Sequence, residues 1–291
     1  MNNLYRYPLF RPPAEANNII VQVTYGCSYN NCSFCSMYKE KKFQTRKIEE
    51  IYKDIDVLAS NYPSASRVFL ADGDALTLDT EVLLKILKYL NSSFSKLRRV
   101  SLYASAQNIL SKSSEELDSL YENNLKLVYF GIETGDNILL KKITKGVSQE
   151  DMIIALNKVS QSNMKISATV ILGIGGKNYS KQHIKNTAEI VNKTTINYLA
   201  TLQLGLEEDV QENFYKHFDD FIPLENMKMI HEQKKFIEQI NPKNQVIFRS
   251  NHVSNSLHLS GTLPKDKEKL LKELEIVESI GESALIDSYW N

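Results

Sequence analysis

An alternation of short β-rich runs with helical segments fills the first 205 residues and constrains the fold more than any other feature. Six apolar, β-rich runs are each followed by turn residues, at positions 19–24, 67–71, 99–104, 126–132, 165–172 and 197–203. The intervening segments have helical patterning; in residues 46–61, for example, Ile48, Ile51, Ile55 and Leu58 share one face. Strand and helix alternating at about 30-residue spacing is typical of βα units in a parallel sheet.

The number of these units predicts an incomplete barrel. Six units fit into the first 205 residues, whereas a complete eight-unit barrel needs about 250. We therefore predict an α/β fold, a partial (β/α)6 TIM-like barrel, with an open doubly wound sheet as the alternative. Residues 209–221, 224–240 and 264–280 have helical patterning, and residues 245–248 form a short apolar run. This predicts two domains, a barrel core at 1–208 and a mainly helical C-terminal extension at 209–291.

All three cysteines of the chain, Cys27, Cys32 and Cys35, lie within nine residues, directly after the first predicted strand. An odd number in one segment is a poor disulfide framework. Three thiolates on a short loop can hold three irons of a cubane cluster and leave the fourth iron open to a small chelating molecule. Structural zinc is an alternative, but it requires four ligands, and the first histidine is His183. Three unrelated buried cysteines are the other alternative.

The spacing Cys-x4-Cys-x2-Cys resembles the cluster loop of the radical S-adenosylmethionine (SAM) superfamily, whose commonest form has one residue fewer in the first gap. The resemblance covers about residues 11–205. It implies a [4Fe–4S] cluster on the three cysteines, with SAM chelating the open iron through its amino and carboxylate groups. It further implies that an electron cleaves SAM to methionine and a 5′-deoxyadenosyl radical, which abstracts hydrogen from the substrate. Phe34, before the last cysteine, is expected near the adenine.

Two motifs at strand ends extend the resemblance, because a parallel barrel carries its active site at the carboxyl ends of its strands. Asp72-Gly73-Asp74 follows the second strand and resembles the Gly-Gly-Glu-type element that binds the SAM amino group. Residues 131–135 resemble the Gly-x-Glu-Ser-Gly element of enzymes related to anaerobic coproporphyrinogen dehydrogenase and the methylthiotransferases. The resemblance implies that Glu133 accepts hydrogen bonds from SAM hydroxyls, with Thr134 in place of the usual serine.

Two further strand ends carry candidate cofactor residues. Ser105 follows the third strand, and Gly173 begins a glycine-rich turn after the fifth, where a ligand can approach the backbone closely. Each of these features, like the Asp-Gly turn, also has a plainer interpretation as an ordinary polar strand end or turn. Their joint occurrence at one predicted edge is what favours a cofactor site.

A polar segment in the C-terminal part is the candidate substrate site. Arg249, Asn251, His252 and Asn255 are concentrated after a short apolar run. The plain interpretation is a surface loop. The functional interpretation is a lid over the open barrel, in which the arginine pairs with a carboxylate or phosphate of the substrate.

Charge and hydropathy restrict the partners. Lys plus Arg equals Asp plus Glu, 35 against 35, which disfavours a nucleic-acid partner. No run of about 18 apolar residues predicts a membrane span, and residues 1–10 lack the apolar core of a signal peptide, so we expect a cytoplasmic protein. The resemblance implies a small-molecule substrate and an electron donor such as flavodoxin or ferredoxin.

The predicted function is that of a radical SAM enzyme, with the oxidoreductase or lyase type left open. Because no cysteines remain for further clusters and 26 residues precede Cys27, sulfur insertion, methylthiolation and cobalamin-dependent methylation are disfavoured. Two other classes stay open: a non-catalytic iron–sulfur electron carrier or sensor, and a zinc-stabilised α/β binding protein.

Overall fold

The computed structural model describes residues 4–287 and confirms an α/β fold. Strands corresponding to all six predicted runs are present. The strands are β1 (Ile19–Gln22), β2 (Thr24–Tyr25), β3 (Gln44–Thr45), β4 (Arg67–Ala71), β5 (Arg99–Tyr103), β6 (Leu125–Glu133), β7 (Lys165–Leu172), β8 (Tyr198–Gln203), β9 (Val246–Ser250) and β10 (Leu259–Leu263).

Helices separate most of the strands, as the periodicity predicts. They are α1 (Ile48–Asn61), α2 (Thr80–Ser93), α3 (Ala106–Leu110), α4 (Ser114–Glu122), α5 (Asn137–Lys142), α6 (Gln149–Gln161), α7 (Gly176–Lys193), α8 (Glu208–Tyr215), α9 (Asn226–Gln239) and α10 (Lys267–Ile280). A capping box formed by Ser113 and Glu116 opens α4. None of the helices within residues 4–287 is long and apolar enough to cross a bilayer.

The chain divides into two compact units. One comprises the described part of Met1–Asn30 together with Met37–Phe130 and Lys158–Ile166. Within it, β1, β4, β5 and the first part of β6 pair in that order, all parallel. Val68, Leu70 and Leu102 are fully buried, and α1 and α2 bury one apolar face each. Parallel strands buried on both sides explain why these runs are almost continuously apolar.

The second unit comprises Asn31–Ser36, Gly131–Asn157 and Ser167–Asn291, of which the structure describes residues up to 287. Within it, β7, β8 and β9 are parallel neighbours, and β10 pairs antiparallel with β9. The carboxyl ends of β7, β8 and β9 therefore lie at the same edge. Helices α7 and α9 pack against each other in this unit.

The C-terminal part differs in detail from the sequence prediction. The apolar run at 245–248 is the strand β9, which pairs with β8, and β10 was not predicted because Ser260 and Gly261 interrupt its apolar pattern. The helix predicted at 209–221 ends at Tyr215, and beyond it the ring of Phe218 packs 4.8 Å from that of Phe214 and 5.0 Å from that of Phe221. The boundary at residue 208 stays a prediction.

Candidate functional site

The cysteine segment follows β2, and hydrogen bonds hold its second half. All three cysteines are reduced and partly buried. In the second unit, the N–H of Ser33 donates to the carbonyl of Ile143 at 3.0 Å, and Thr144 Oγ1 donates to the carbonyl of Asn31 at 2.5 Å. The residues just after α5 therefore anchor the half of the segment that carries Cys32 and Cys35.

Gly73 packs against the start of the cysteine segment, in the first unit. Its N–H donates to the carbonyl of Gly26 at 3.1 Å. A Cβ atom at Gly73 would lie 2.5 Å from the ring of Tyr38 and 3.0 Å from the Cβ of Cys27. Only glycine fits this approach, so the predicted turn after β4 and the first cysteine are brought together.

Asp72 forms a buried ion pair that the sequence analysis did not foresee. Its Oδ2 lies 2.6 Å from Nζ of Lys41, and the two side chains are 0% and 2% exposed. The same oxygen accepts from Gln22 Nε2 and from the N–H of Gly26, each at 3.1 Å. The Asp72 carboxylate thus ties three separate segments together, which is a structural task.

Asp74 and Ser105 are bonded to each other and to their surroundings. The Asp74 carboxylate accepts from Ser28 Oγ at 3.0 Å, from the side-chain amide of Asn108 and from the N–H of Ser105 at 3.4 Å. Burial raises the pKa of Asp74, while these hydrogen bonds act against the rise. Ser105 is the N-cap of α3, and its hydroxyl accepts from the N–H of Asn108. Internal contacts therefore engage both side chains predicted to bind cofactor.

Glu133 and Phe34 meet at Lys145 in the second unit. Oε1 of Glu133 lies 3.0 Å from Nζ of Lys145, and that nitrogen lies 6.0 Å from the centre of the Phe34 ring. Burial lowers the pKa of Lys145, but the negative charges of Glu133 and Cys32 outweigh it and hold this pKa above its ordinary value. The carboxylate of Glu133 lies over Gly131, where a side chain would displace it. Lys145 therefore stays cationic beside two predicted cofactor residues.

Thr134 and Gly173 face inward onto two buried groups. Oγ1 of Thr134 lies 2.8 Å from Nδ1 of His183, and both side chains are fully buried. The N–H of Gly173, which has φ +78°, donates to Oε1 of Glu232 at 2.5 Å. The Thr134 hydroxyl is thus directed to the protein interior, and Gly173 takes part through its backbone N–H.

The predicted substrate residues have different environments. Arg249 lies on β9 with its side chain exposed, Asn251 is exposed, and His252 is half-buried. Asn255 is 1% exposed, and its amide bonds the N–H of Gln203 at 2.8 Å and the carbonyl of Thr201 at 2.8 Å. Asn255 is therefore an anchor that fastens the segment after β9 to β8, because both ends of its amide are used within the fold.

Sequence reasoning missed Lys41, His183 and Glu232. Lys41 and Asp72 are 31 residues apart, and no local pattern joins them. Glu232 had a signal: it lies between the buried Ile230 and Phe236 on an amphipathic helix, where a charged residue on the apolar side indicates a buried contact. Among residues 4–287, no three His, Cys, Asp or Glu side chains are grouped as ligands of a single metal ion.

Comparisons with known proteins identify the family. The model of the Radical SAM superfamily matches residues 21–191. The heme chaperone HemW of Bacillus subtilis (strain 168) is 22% identical over 165 residues, covering 54% of this chain and 43% of that protein. A tRNA-2-methylthio-N(6)-dimethylallyladenosine synthase of Thermoanaerobacter sp. (strain X514) is 21% identical over 291 residues, covering 93% and 58%. The chain thus spans 58% or less of the length of these relatives.

A solved structure supports the fold. Coproporphyrinogen III oxidase (HemN) from Escherichia coli, a radical SAM enzyme, superposes with a TM-score of 0.57 at 14% identity and covers 76% of this chain and 52% of that one. This likeness confirms the predicted TIM-like partial barrel. Because the family model matches more than half of the 291 residues, the chain belongs to the radical SAM superfamily and is a radical SAM enzyme that uses a [4Fe–4S] cluster and S-adenosylmethionine.

Proposed function

We propose that this enzyme holds its cluster on Cys27, Cys32 and Cys35 and abstracts hydrogen from a small-molecule substrate. When bound, the cluster and SAM together supply reductive cleavage of SAM to methionine and a 5′-deoxyadenosyl radical, which removes the hydrogen. The observation that carries the proposal is the donor set: three reduced, partly buried thiols on one segment. Three thiolates occupy three corners of a cubane and leave the fourth iron for SAM, and a cubane does not need the single-ion grouping of ligands that zinc needs.

The contact between Glu133 and Lys145 supports a SAM site beside the cysteines. Lys145 neutralises Glu133 and orients its carboxylate at 3.0 Å, and the carboxylate can accept hydrogen bonds from hydroxyl groups of a ligand. Phe34 supplies an aromatic face at the same place. We assign these residues to the adenosine half of SAM.

The Asp72-Gly73-Asp74 turn is assigned a backbone role. Because Lys41 and Asn108 engage the two carboxylates, ligand contacts from this turn fall to its main chain, which the buried side chains hold rigid. Gly73 brings that main chain against Cys27. The proposed contact of the turn with the SAM amino group is therefore made by the peptide groups.

The substrate is assigned to the end of β9 and the segment that follows it, at the edge where β7, β8 and β9 end. Asn255 fastens this segment, while Arg249, Asn251 and His252 keep side chains that can contact a ligand. An arginine favours a carboxylate or phosphate on the substrate. The balanced total charge supports a small molecule over a nucleic acid.

We also propose a cytoplasmic enzyme served by flavodoxin or ferredoxin. Three reduced cysteines suit a reducing compartment, since thiols in oxidising compartments tend to pair. Reductive cleavage of SAM needs a one-electron donor, and both proteins are such donors.

Anaerobic reconstitution with iron and sulfide tests the proposal. We expect about four irons per chain and 5′-deoxyadenosine on reduction with SAM. Each Cys→Ala variant should lose both, whereas Ser36→Ala on the same segment should lose neither. Stoichiometric zinc with rejection of iron would favour the zinc-stabilised alternative, and a cluster without 5′-deoxyadenosine would favour an electron carrier.

A further inference from the structure

Glu232 is a buried carboxyl group from the C-terminal part that reaches the end of β7. Its side chain is 2% exposed. Oε1 accepts from the N–H of Gly173 at 2.5 Å, and Oε2 accepts from the hydroxyl of Ser180. Gly173 has φ +78°, so the chain reverses there in a conformation that few side chains tolerate. A carboxyl group on α9 thus holds the turn at which a cofactor contact is proposed.

His183 lies between the Glu232 carboxyl and Thr134 at the end of β6. Its Nε2 lies 4.0 Å from Oε1 of Glu232, and its Nδ1 lies 2.8 Å from Oγ1 of Thr134. Oγ1 of Thr134 already accepts from the N–H of Asp136 at 3.1 Å, so its own hydrogen is available to Nδ1. In that arrangement Nε2 carries the ring proton on the side of Glu232. His183 therefore bonds Thr134 through Nδ1 and packs beside Glu232, with Nε2 beyond hydrogen-bond distance of Oε1.

Burial shifts the pKa values of both Glu232 and His183. Burial raises the pKa of Glu232 to about 7, although the bonds from Ser180 and Gly173 act against the rise. Burial lowers the pKa of His183 to about 4, while Asp136 and the carbonyl of Ile171 act against the fall. Near neutral pH the imidazole is uncharged and Glu232 is the group that changes charge.

A cavity of about 500 Å³ gives Glu232 a route to solvent. Glu232 and Ser180 line it, beside the apolar side chains of Ile184 and Leu224. The other charged or titratable groups around it come from α7 and α9: Lys177, Lys181, Lys228, His231 and Lys235. Water in the cavity can carry the proton of Glu232 to solvent.

We propose that Glu232 is a positioning residue of the SAM site, which fixes the turn at Gly173. The inference rests on the proposed assignment of Gly173 to the cofactor. The ionised carboxylate holds the Gly173 N–H more strongly than the neutral acid does, because a charge-assisted hydrogen bond is about twice as strong as a neutral one. The turn is therefore held more firmly, and SAM bound more tightly, when Glu232 is ionised.

Three variants separate this role from general stability. Glu232→Ala removes the acceptor, and Glu232→Gln keeps an oxygen for Gly173 but cannot ionise. Glu238→Ala is the matched control, because Glu238 lies on the same helix in a partly exposed pair with Lys235. Hydrogen–deuterium exchange of the peptide containing Gly173 and the dissociation constant for SAM, at pH 6 to 8, are measured on reconstituted protein with equal iron content.

In Glu232→Ala we expect exchange at Gly173 about tenfold faster and SAM binding about tenfold weaker, as for one lost buried hydrogen bond. The wild type should bind SAM several-fold more tightly at pH 8 than at pH 6. Glu232→Gln should show exchange near that of the wild type at pH 6 but lack the pH-dependent component of SAM binding, and Glu238→Ala should match the wild type throughout.

Each result that would contradict the proposal points to a different failure. Unchanged exchange in Glu232→Ala overturns the positioning role. Faster exchange with an unchanged dissociation constant removes Gly173 and Glu232 from the SAM site. Reconstituted wild type that binds no SAM at any pH defeats the proposed function, while the exchange data still decide whether Glu232 holds Gly173.

Discussion

Two groups of carboxylates with the same predicted role have opposite environments. In the first unit, Asp72 and Asp74 are 0% and 2% exposed, and each accepts three or more hydrogen bonds from the protein. In the second, Glu133 has a side chain 12% exposed and an ion pair with Lys145. The three donors on Asp72 all meet Oδ2 and tie down a turn in the protein interior, whereas Glu133 has a single cationic partner and is partly exposed, so its carboxylate can also accept from a ligand. We therefore expect carboxylates at strand ends to serve structure in the first unit and ligand binding in the second.

Removal of Asp72 should have the largest effect. Asp72→Ala leaves the buried Lys41 without its partner, and an uncompensated buried charge costs about 3–5 kcal/mol. Urea unfolding of the apoprotein measures the loss. Asp56→Ala, an exposed aspartate on α1, is the control and should change stability by less than about 0.5 kcal/mol. A loss below about 1 kcal/mol for Asp72→Ala would contradict a structural role.

Glu133→Ala should affect SAM binding rather than stability, the reverse of Asp72→Ala. We expect SAM binding to weaken by about 1–3 kcal/mol, because a hydrogen bond to the ligand is lost, with full iron content and little change in unfolding. Equilibrium dialysis measures the affinity. Glu189→Ala is the control, since Glu189 is an exposed glutamate of the same unit paired with Lys193. If the affinity is unchanged, Glu133 does not belong to the site, and the contrast with Asp72 disappears.

His183 on α7 and Glu232 on α9 are both buried. Variants that keep only one of them should change stability with pH in opposite directions. His183→Asn leaves Glu232, whose pKa is raised from 4.5 to about 7, so stability should fall as pH rises from 4.5 to 7. Glu232→Gln leaves His183, whose pKa is lowered from 6.5 to about 4, so stability should rise as pH rises from 4 to 6.5. In the wild type the two slopes cancel between 4.5 and 6.5.

Urea unfolding between pH 5 and 6.5, relative to the wild type, tests these slopes. Each is at most about 1.4 kcal/mol per pH unit, the value for one proton. Slopes of the same sign in both variants would show that the pair does not titrate as its burial indicates.

Ser105→Ala should have the smallest effect. Loss of the N-cap of α3 costs about 1 kcal/mol of stability, and SAM affinity should stay within about twofold, because internal contacts use the hydroxyl. Ser113→Ala, which removes the N-cap of α4, is the control and should destabilise by a similar amount. A large loss of SAM affinity in Ser105→Ala alone would return Ser105 to the binding residues.

The sequence by itself determined the class of fold and the chemistry. Apolar residues recur every two residues in a strand and every 3.6 in a helix. This pattern is local, so β4, β7 and α1 could be located from nearby residues alone. The spacing of Cys27, Cys32 and Cys35 is equally local, because three ligands within nine residues are close together in any fold. The radical SAM assignment depended on such short-range patterns.

Only the tertiary structure decided which polar side chains are available to a ligand. Asp72 meets Lys41 across 31 residues, and His183 meets Thr134 across 49, and neither partner is marked by spacing or composition. Glu232 comes from outside the region of resemblance and reaches Gly173 across 59 residues. Whether a carboxylate is enclosed or available depends on which distant segments pack around it, and the burial that results sets both its hydrogen bonds and its pKa.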